Sequence, residues 1–279
     1  SISLGATGPN AYLDMANLIK IALANKCDAI HPGYGFLSEN HQFASKVNSA
    51  GLIFIGPTEN QLKLFGDKIS ALKHAEELDI PVLGISEELE NHKSLEGFVD
   101  KNPNLRVIVK AAGGGGGRGI RVVENSSECK QLFEQARAEA ENAFGDNRLY
   151  AEQFLKNARH IEVQIIGDGK GGITHLWERD CSLQRRHQKI IEFAPAPSLH
   201  SQLRDKLLHC AEKMAHSVNY KGLGTFEFLI NTEDNSHYFM EANARLQVEH
   251  TVTEVITGQD LVCLQVRVAE GASLDELSL

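Results

Sequence analysis

The stretch Glu241-Ala242-Asn243-Ala244-Arg245-Leu246-Gln247-Val248-Glu249-His250 sets two carboxylates, an amide and a fixed cation along one short segment. On an extended backbone alternate side chains share a face, so Glu241, Asn243 and Arg245 point one way while Ala242, Ala244 and Leu246 point the other. One side is polar and suits phosphate and carboxylate chemistry; the other packs. Just upstream, His237-Tyr238-Phe239-Met240-Glu241 reads as a strand, joined through the turn-rich Asn231 to Ser236 to a second strand, Thr225-Phe226-Glu227-Phe228-Leu229. Hairpin pairing brings Glu227, a carboxylate inside an otherwise apolar strand, beside Glu241 and Asn243. Solvent-facing acids on a half-wet sheet would look similar, but two acids and an amide on facing strands, each flanked by apolar residues, predict a Mg2+ site for nucleotide phosphates.

The surrounding sequence divides into three kinds of organisation. His160 to Ile165 alternates cleanly, Gly169 to Gly172 makes a turn, Ile173 to Trp177 reads as a hairpin partner, and a helix follows near 201–217; this is an antiparallel sheet. Before it, strand-like Leu105 to Lys110 and Ile120 to Val123 flank Gly113 to Gly119, with an amphipathic helix over 127–143 and a strand over 148–153, a small α+β unit. The N-terminal part alternates helix (11–25), strand (Cys27 to Ile30), helix (40–50) and strand (Leu52 to Ile55), which predicts a parallel sheet with a crevice at its strand ends. His31-Pro32-Gly33-Tyr34-Gly35-Phe36 sits at such an end. Asp67 is the expected N-cap of a helix through about Leu78, and Pro81 with the segment 86–104 reads as strand end, loop and helix.

The 279 residues suffice for a cleft built from several subdomains, and the formal charge of -9 disfavours nucleic acid as a partner. Cys27, Cys129, Cys181, Cys210 and Cys263 show no CxxC spacing, which predicts free thiols in a reducing compartment, cytoplasmic or an organelle matrix such as the mitochondrial one. No apolar run approaches the ~18 residues of a membrane span, and no secretory signal opens the chain.

Lys110-Ala111-Ala112-Gly113-Gly114-Gly115-Gly116-Gly117-Arg118-Gly119 follows a strand and offers backbone N–H groups that can wrap phosphate oxygens. It is neither a Walker loop nor a dinucleotide fingerprint, since no Gly-Lys-Ser/Thr follows and no helix opens directly from it. A phosphate-covering hairpin is the expected form. Lys68 stands at a helix start, where an ammonium adds to the positive dipole end, although an ordinary exposed lysine fits the same letters. The run from Arg179 to Lys189 concentrates five potential cations, His187 included, in an otherwise acidic chain and reads as a cleft strand for an anionic ligand. Glu249 and His250 both qualify as a general base, and the residues alone leave that choice open. No Gly-x-Ser-x-Gly elbow or placed Cys-His pair supports nucleophilic hydrolysis.

His31 to Asn40, Lys110 with the glycine run, Glu178 to Lys189, and Glu241 to His250 with Thr253-Glu254 together resemble biotin carboxylase, over essentially the whole chain. The resemblance implies the ATP-grasp fold, α/β and α+β: a partial N-terminal parallel α/β (pre-ATP-grasp) domain over 1–66, then an ATP-grasp domain over 67–279. Within the latter a small glycine-lidded subdomain (about 83–153) faces a larger antiparallel-sheet subdomain (about 154–279). The family's domain begins with an additional strand and glycine-rich turn, and it continues past Leu279 into a C-terminal region that supplies an arginine next to biotin and much of a homodimer contact. The resemblance therefore also implies impaired turnover of this stretch alone.

The activity implied is ATP-driven conversion of bicarbonate to carboxyphosphate, then transfer of CO2 to N1 of biotin on a separate carboxyl carrier domain. By resemblance, Lys68 and Lys110 contact nucleotide phosphates, Gly114, Gly115, Gly116 and Gly117 close over them, and Glu152, Gln153 and Leu155 line the adenine pocket. His160, Gln184 and His187 are further nucleotide contacts. Glu227, Glu241 and Asn243 take Mg2+, or Mn2+ in its place. Lys189, Arg245, Gln247 and Val248 hold bicarbonate, Arg245 also faces the biotin enolate, Glu249 is the base, and Tyr34 lies near biotin. Gln153 stands where many relatives have Lys, Ala242 where a larger apolar residue is usual, and Ala244 where Ser, Thr or Pro is common. Met15, Met214 and Met240 precede no Lys, so biotin arrives on another domain, with a carboxyltransferase domain or subunit choosing the final acceptor. A carbamoyl-phosphate synthase half, which shares bicarbonate activation, is the neighbouring alternative, and a nucleotide-binding module without turnover is the more distant one.

Overall fold

The computed structural model describes residues 1–103, 106–113, 120–185 and 188–279. The alternating N-terminal pattern folds as expected, with helix α1 (Met15–Ala24), strand β1 (Ala29–Ile30), helix α2 (His41–Ser49) and strand β2 (Ile53–Phe54), the two short strands pairing in parallel. Helix α3 (Glu59–Gly66) is an addition to the sequence reading. Its signal was present, because Thr58 and Gln61 form a reciprocal capping box at its start. Helix α4 (Lys68–Glu77) begins as expected at Asp67, whose side chain accepts a hydrogen bond from the Ser70 backbone N–H at 2.9 Å.

The small unit contains α5 (His92–Lys101), β3 (Val107–Ala111), β4 (Arg121–Val123), α6 (Cys129–Phe144) and β5 (Leu149–Gln153), with strand order β4-β3-β5, all antiparallel. It has its own core of Leu95, Val107, Val109, Phe133, Ala136 and Leu149. The residues Gly114, Gly115, Gly116 and Gly117, expected to close over phosphates, lie outside the described residues.

The large unit is a five-stranded antiparallel sheet in the order β10-β9-β6-β7-β8. Its strands are β6 (Ala158–Asp168), β7 (Ile173–Arg185), β8 (Gln188–Phe193), β9 (Lys221–Asn231) and β10 (His237–Asn243), with helix α7 (Ser201–Ser217) between β8 and β9. Period-two alternation splits the sheet into two chemistries. Ile161, Val163, Ile165, Phe226 and Phe228 enter one apolar cluster with Leu203, Leu207 and Met214 of α7 and with Leu62, Phe65 and Leu72 of α3 and α4. Ala242, Ala244 and Leu246 are all buried, matching the packed face read from the sequence. The approach of β6 to β9 is close: a Cβ on Gly167 would lie 2.1 Å from the Tyr220 carbonyl oxygen, so only glycine fits there. Helices α8 (His250–Thr257) and α9 (Leu261–Ala269) close the chain, α8 against β7 and α9 against β9.

Asp67 links these units. Besides capping α4 it accepts from Arg148 Nη1 at 2.8 Å, and Arg148 also pairs with Asp146 at 2.7 Å. Burial raises the Asp67 pKa, but the Ser70 N–H and the Arg148 guanidinium outweigh it and hold the carboxyl below the ordinary value. A depressed carboxyl stabilises the fold above its unfolded pKa and loses that contribution as pH falls through its folded one. Asp67→Ala is therefore expected to cost about 1–2 kcal/mol at neutral pH, with the difference from the parent shrinking as pH falls below the ordinary carboxylate range. Urea titrations at pH 7 and pH 3 check both halves.

Candidate functional site

Strand register builds the site. Glu241 on β10 lies opposite Glu227 on β9, Glu227 opposite Glu162 on β6, and Glu162 opposite Arg179 on β7. These four side chains form one rank across four strands, on the face turned away from α7. Three carboxylates side by side repel one another unless cations intervene. Here Lys68, at the first turn of α4, pairs with Glu241, and Lys189 on β8 touches Glu162, Glu227 at 3.2 Å and Glu249 at 2.7 Å.

Glu227 is the centre of the cluster. Its Oε2 meets His160 Nε2 at 2.5 Å, and its Oε1 accepts from Asn243 Nδ2 at 2.6 Å and Gln247 Nε2 at 3.0 Å. Burial pushes its pKa up, but Lys189 and His160 prevail and hold it well below the usual carboxylate range. Lys68 stands above the ordinary lysine value, because Glu241, with Glu152 and Glu227 behind it, outweighs the burial that lowers it. Glu249 is likewise burial-raised but held below its ordinary value by Lys189, so it is an ionised proton acceptor at neutral pH.

The other expected residues fall around this centre. Lys110 on β3 pairs with the buried Glu152 on β5 at 2.8 Å, which places both on the side of the small unit. Gln153 and Leu155, at and just beyond the end of β5, are partly buried. Gln184 donates to His160 Nδ1 at 2.8 Å, so the pair expected to contact nucleotide is joined directly to Glu227. Arg245 donates from Nε to Glu39 Oε2 at 2.8 Å and from Nη2 to Asn243 Oδ1 at 2.8 Å. Gln247 is buried, whereas Val248 and Tyr34 are exposed, at 64% and 55%. His187 lies outside the described residues.

The donor set fits a hard divalent cation: Glu227 and Glu241 present carboxylates from directly opposed positions, and carboxylate oxygen is what Mg2+ prefers. Asn243, however, turns its NH2 to Glu227 and gives its oxygen to Arg245, so the amide is not offered as a ligand in this arrangement. Ligand atoms of His160, Glu162 and Glu227 lie within 4.8 Å of one another, which adds a neighbouring set sharing Glu227.

Two residues change the sequence reading. Arg179, counted there among the cations of an anion-binding cleft strand, is fully buried and spends its guanidinium inside the sheet on Glu162, Gln164, Thr225, Thr253 and Gln247. The physical reason is strand register, which points position 179 into the acidic rank. Glu162 was not singled out at all. Its signal was the alternation from His160 to Ile165, which puts Glu162 and Gln164 on the face of His160.

A small glycine-run unit set against an antiparallel sheet carrying ranked carboxylates and lysines defines an ATP-grasp protein. The family described as carbamoyl-phosphate synthase L chain, ATP binding domain, matches residues 67–277, and that described as biotin carboxylase, N-terminal domain, matches residues 1–62. The chain belongs to the biotin carboxylase family. It is 50% identical over 266 residues to a pyruvate carboxylase of Bacillus subtilis (strain 168), covering 95% of this chain and 23% of that one. A biotin carboxylase–beta-gamma-ATP complex from Campylobacter jejuni superposes with a TM-score of 0.92 at 43% identity, over 96% of this chain and 60% of that one. The biotin carboxylase domain dimer of Hydrogenobacter thermophilus 2-oxoglutarate carboxylase, with MgADP, ADP and bicarbonate, gives 0.93 at 40% identity, over 96% and 59%. The chain thus spans about a quarter of the curated relative it matches. Among the described residues no helix is long and apolar enough to cross a membrane.

Proposed function

We propose that this chain forms the nucleotide- and bicarbonate-binding part of a biotin carboxylase, which spends ATP to activate bicarbonate and passes the carboxyl group to biotin on a carrier domain. The observation that carries this reading is the rank Glu241-Glu227-Glu162 bounded by Lys68 and Lys189. Such an array can hold a metal–triphosphate and an adjacent small anion side by side, with fixed charge where phosphoryl oxygens gain it. Residues 1–66 would be the N-terminal unit, and 67–279 the ATP-grasp unit.

In this reading Lys68 and Lys110 take the phosphates, releasing Glu241 and Glu152, and Glu152, Gln153 and Leu155 border the adenine. His160, Gln184 and His187 steady the nucleotide side. Glu227 and Glu241, with Asn243 if its amide turns, would hold Mg2+ or Mn2+, which supplies charge neutralisation at the transferring phosphoryl group. Lys189, Arg245, Gln247 and the Val248 backbone receive bicarbonate. Glu249, already ionised beside Lys189, accepts its proton. Tyr34 and Arg245 face the biotin ring. A carboxyltransferase partner and a homodimer belong to the same proposal.

The test is ADP release by a longer protein containing this chain. Dependence on bicarbonate with stimulation by biotin supports the reading; stimulation by ammonia would make it a carbamoyl-phosphate-synthase-like ligase, and MgATP binding without any turnover a nucleotide-binding module. Within the same assay, Glu241→Gln is expected to weaken Mg2+-dependent ATP binding at least about tenfold, by loss of a charged ligand. Equal titration curves for mutant and parent would remove Glu241 from the metal site.

A further inference from the structure

Among the described residues, Gln247 is the one neutral side chain hydrogen-bonded to both Glu227 and the buried Arg179. Its amide has two ends, an acceptor and a donor, and sterically it could present either to the cleft. Arg179 fixes the oxygen end, and the acceptor-only Glu227 takes the NH2 end. A guanidinium has donors only, so the 2.9 Å contact from Arg179 Nη2 obliges Gln247 to turn its oxygen inward. The NH2 then faces Glu227 Oε1, the carboxylate oxygen that Lys189 and Asn243 also contact.

Arg179 is itself unable to rotate away. Nε donates to Glu162 Oε1 at 2.5 Å, Nη1 to Gln164 Oε1 and Thr253 Oγ1 at 2.8 Å each, and Nη2 to Thr225 Oγ1 at 3.3 Å as well as to Gln247. Gln164 is locked in turn, because its NH2 donates to the Gly224 carbonyl at 3.0 Å, leaving only its oxygen for Arg179. These partners come from β6, β9, the segment after β10, and α8, so the guanidinium is fixed by four separate pieces of the fold. Glu162, held by Arg179 through one oxygen, holds Lys189 through the other.

We infer that Arg179 is a positioning residue that sets the polarity of Gln247, making it an obligate hydrogen-bond donor toward the anion bound beside Lys189 and Arg245. Taking that anion to be bicarbonate rests on the function proposed above. A donor is what an anionic oxygen requires; the amide oxygen in the same place would repel it. Arg179 acts without touching substrate. Thr253, which lies on α8 and otherwise has no chemical part in the site, acquires one as a fixed acceptor for the guanidinium.

The experiment is a double-mutant cycle in a longer protein containing the chain, using Arg179→Lys, Gln247→Ala and the pair. Lysine keeps the buried charge for Glu162 but its single ammonium does not reach all five partners, so the Gln247 oxygen loses its anchor and the amide is held from the Glu227 side alone. Arg179→Lys is expected to raise the bicarbonate KM at least about tenfold, as for loss of one hydrogen bond to a charged group, while MgATP binding changes less than about threefold. In the Gln247→Ala background Arg179→Lys should then add little, since its effect runs through Gln247. Independent, multiplicative effects on the bicarbonate KM would overturn the inference.

A second readout does not depend on turnover. The Gln247 side-chain amide protons, followed by NMR, should exchange slowly with solvent in the parent and faster in Arg179→Lys. Equal protection in both proteins would also overturn the inference. If the parent shows no bicarbonate dependence at all, the proposed function fails while the amide-exchange arm still decides the role of Arg179. Thermal unfolding of each variant identifies loss of fold, and Arg179→Gln at the same position provides the alternative if the lysine variant does not fold.

Discussion

Glu249→Gln lowers bicarbonate-dependent ATP hydrolysis by a factor of about 10² or more while leaving MgATP binding within a few-fold of the parent, as expected for loss of a general base. The substitution is nearly isosteric: one carboxylate oxygen becomes NH2, which removes the charge and the basicity while one acceptor oxygen remains. Lys189 retains Glu162 and Glu227 after the change, so the rank that would hold metal and nucleotide keeps its cation. Lys68 and Lys110, with partners Glu241 and Glu152, are not in contact with Glu249. The two quantities therefore separate, and an ADP-release assay run beside a nucleotide titration reads them independently. Unchanged turnover would take Glu249 out of the base role and return attention to His250, whose Nδ1 lies 2.8 Å from the Gln247 carbonyl. That nitrogen is committed to the backbone, which is one structural reason for preferring Glu249.

Glu227→Ala is expected to be the more damaging change, abolishing Mg2+-dependent nucleotide binding and destabilising the fold by roughly 3–5 kcal/mol. Four donors aim at this one buried carboxylate: His160, Asn243, Gln247 and Lys189. Glu227 is 2% exposed, so water cannot readily replace it, and the cations that it compensates are left without their partner. Glu227→Gln separates the two effects, because it refills the volume while still removing charge. Both are checked by urea unfolding and by ATP titration with and without Mg2+. Parent-like stability together with parent-like Mg2+ dependence in the alanine variant would end the assignment of Glu227 as the centre of the site.

The difference between these two carboxylates also explains how far the site was legible beforehand. Glu227 and Glu241 belong to consecutive strands joined by a short turn, and hairpin pairing of neighbouring strands is a local event. Their meeting was accordingly readable from spacing. Glu162 joins them only because β6 lies between β9 and β7 in the sheet, a neighbour relation that spans a hairpin and the whole of α7. Nothing in the spacing of the letters announces that order. Arg179 shows the same limit from the other side: in the run to Lys189 it looks like one basic residue among several, yet it is fully buried among its acceptors. Helix α3 was a different kind of omission, since its capping box was written in Thr58 and Gln61 and required no tertiary information.

Residue order alone carried the alternation that separates Glu241, Asn243 and Arg245 from Ala242, Ala244 and Leu246, the succession of a parallel, a small α+β and an antiparallel pattern, and the motifs that resemble biotin carboxylase. Those features are local, fixed by backbone periodicity and by which residues can cap, turn or pack. Folding alone placed Lys189 among Glu162, Glu227 and Glu249, joined Glu39 to Arg245, and put Arg179 behind Gln247. Strand order is set chiefly by burying the apolar face against α7, α3 and α4, and the charges on the opposite face inherit their neighbours from that packing.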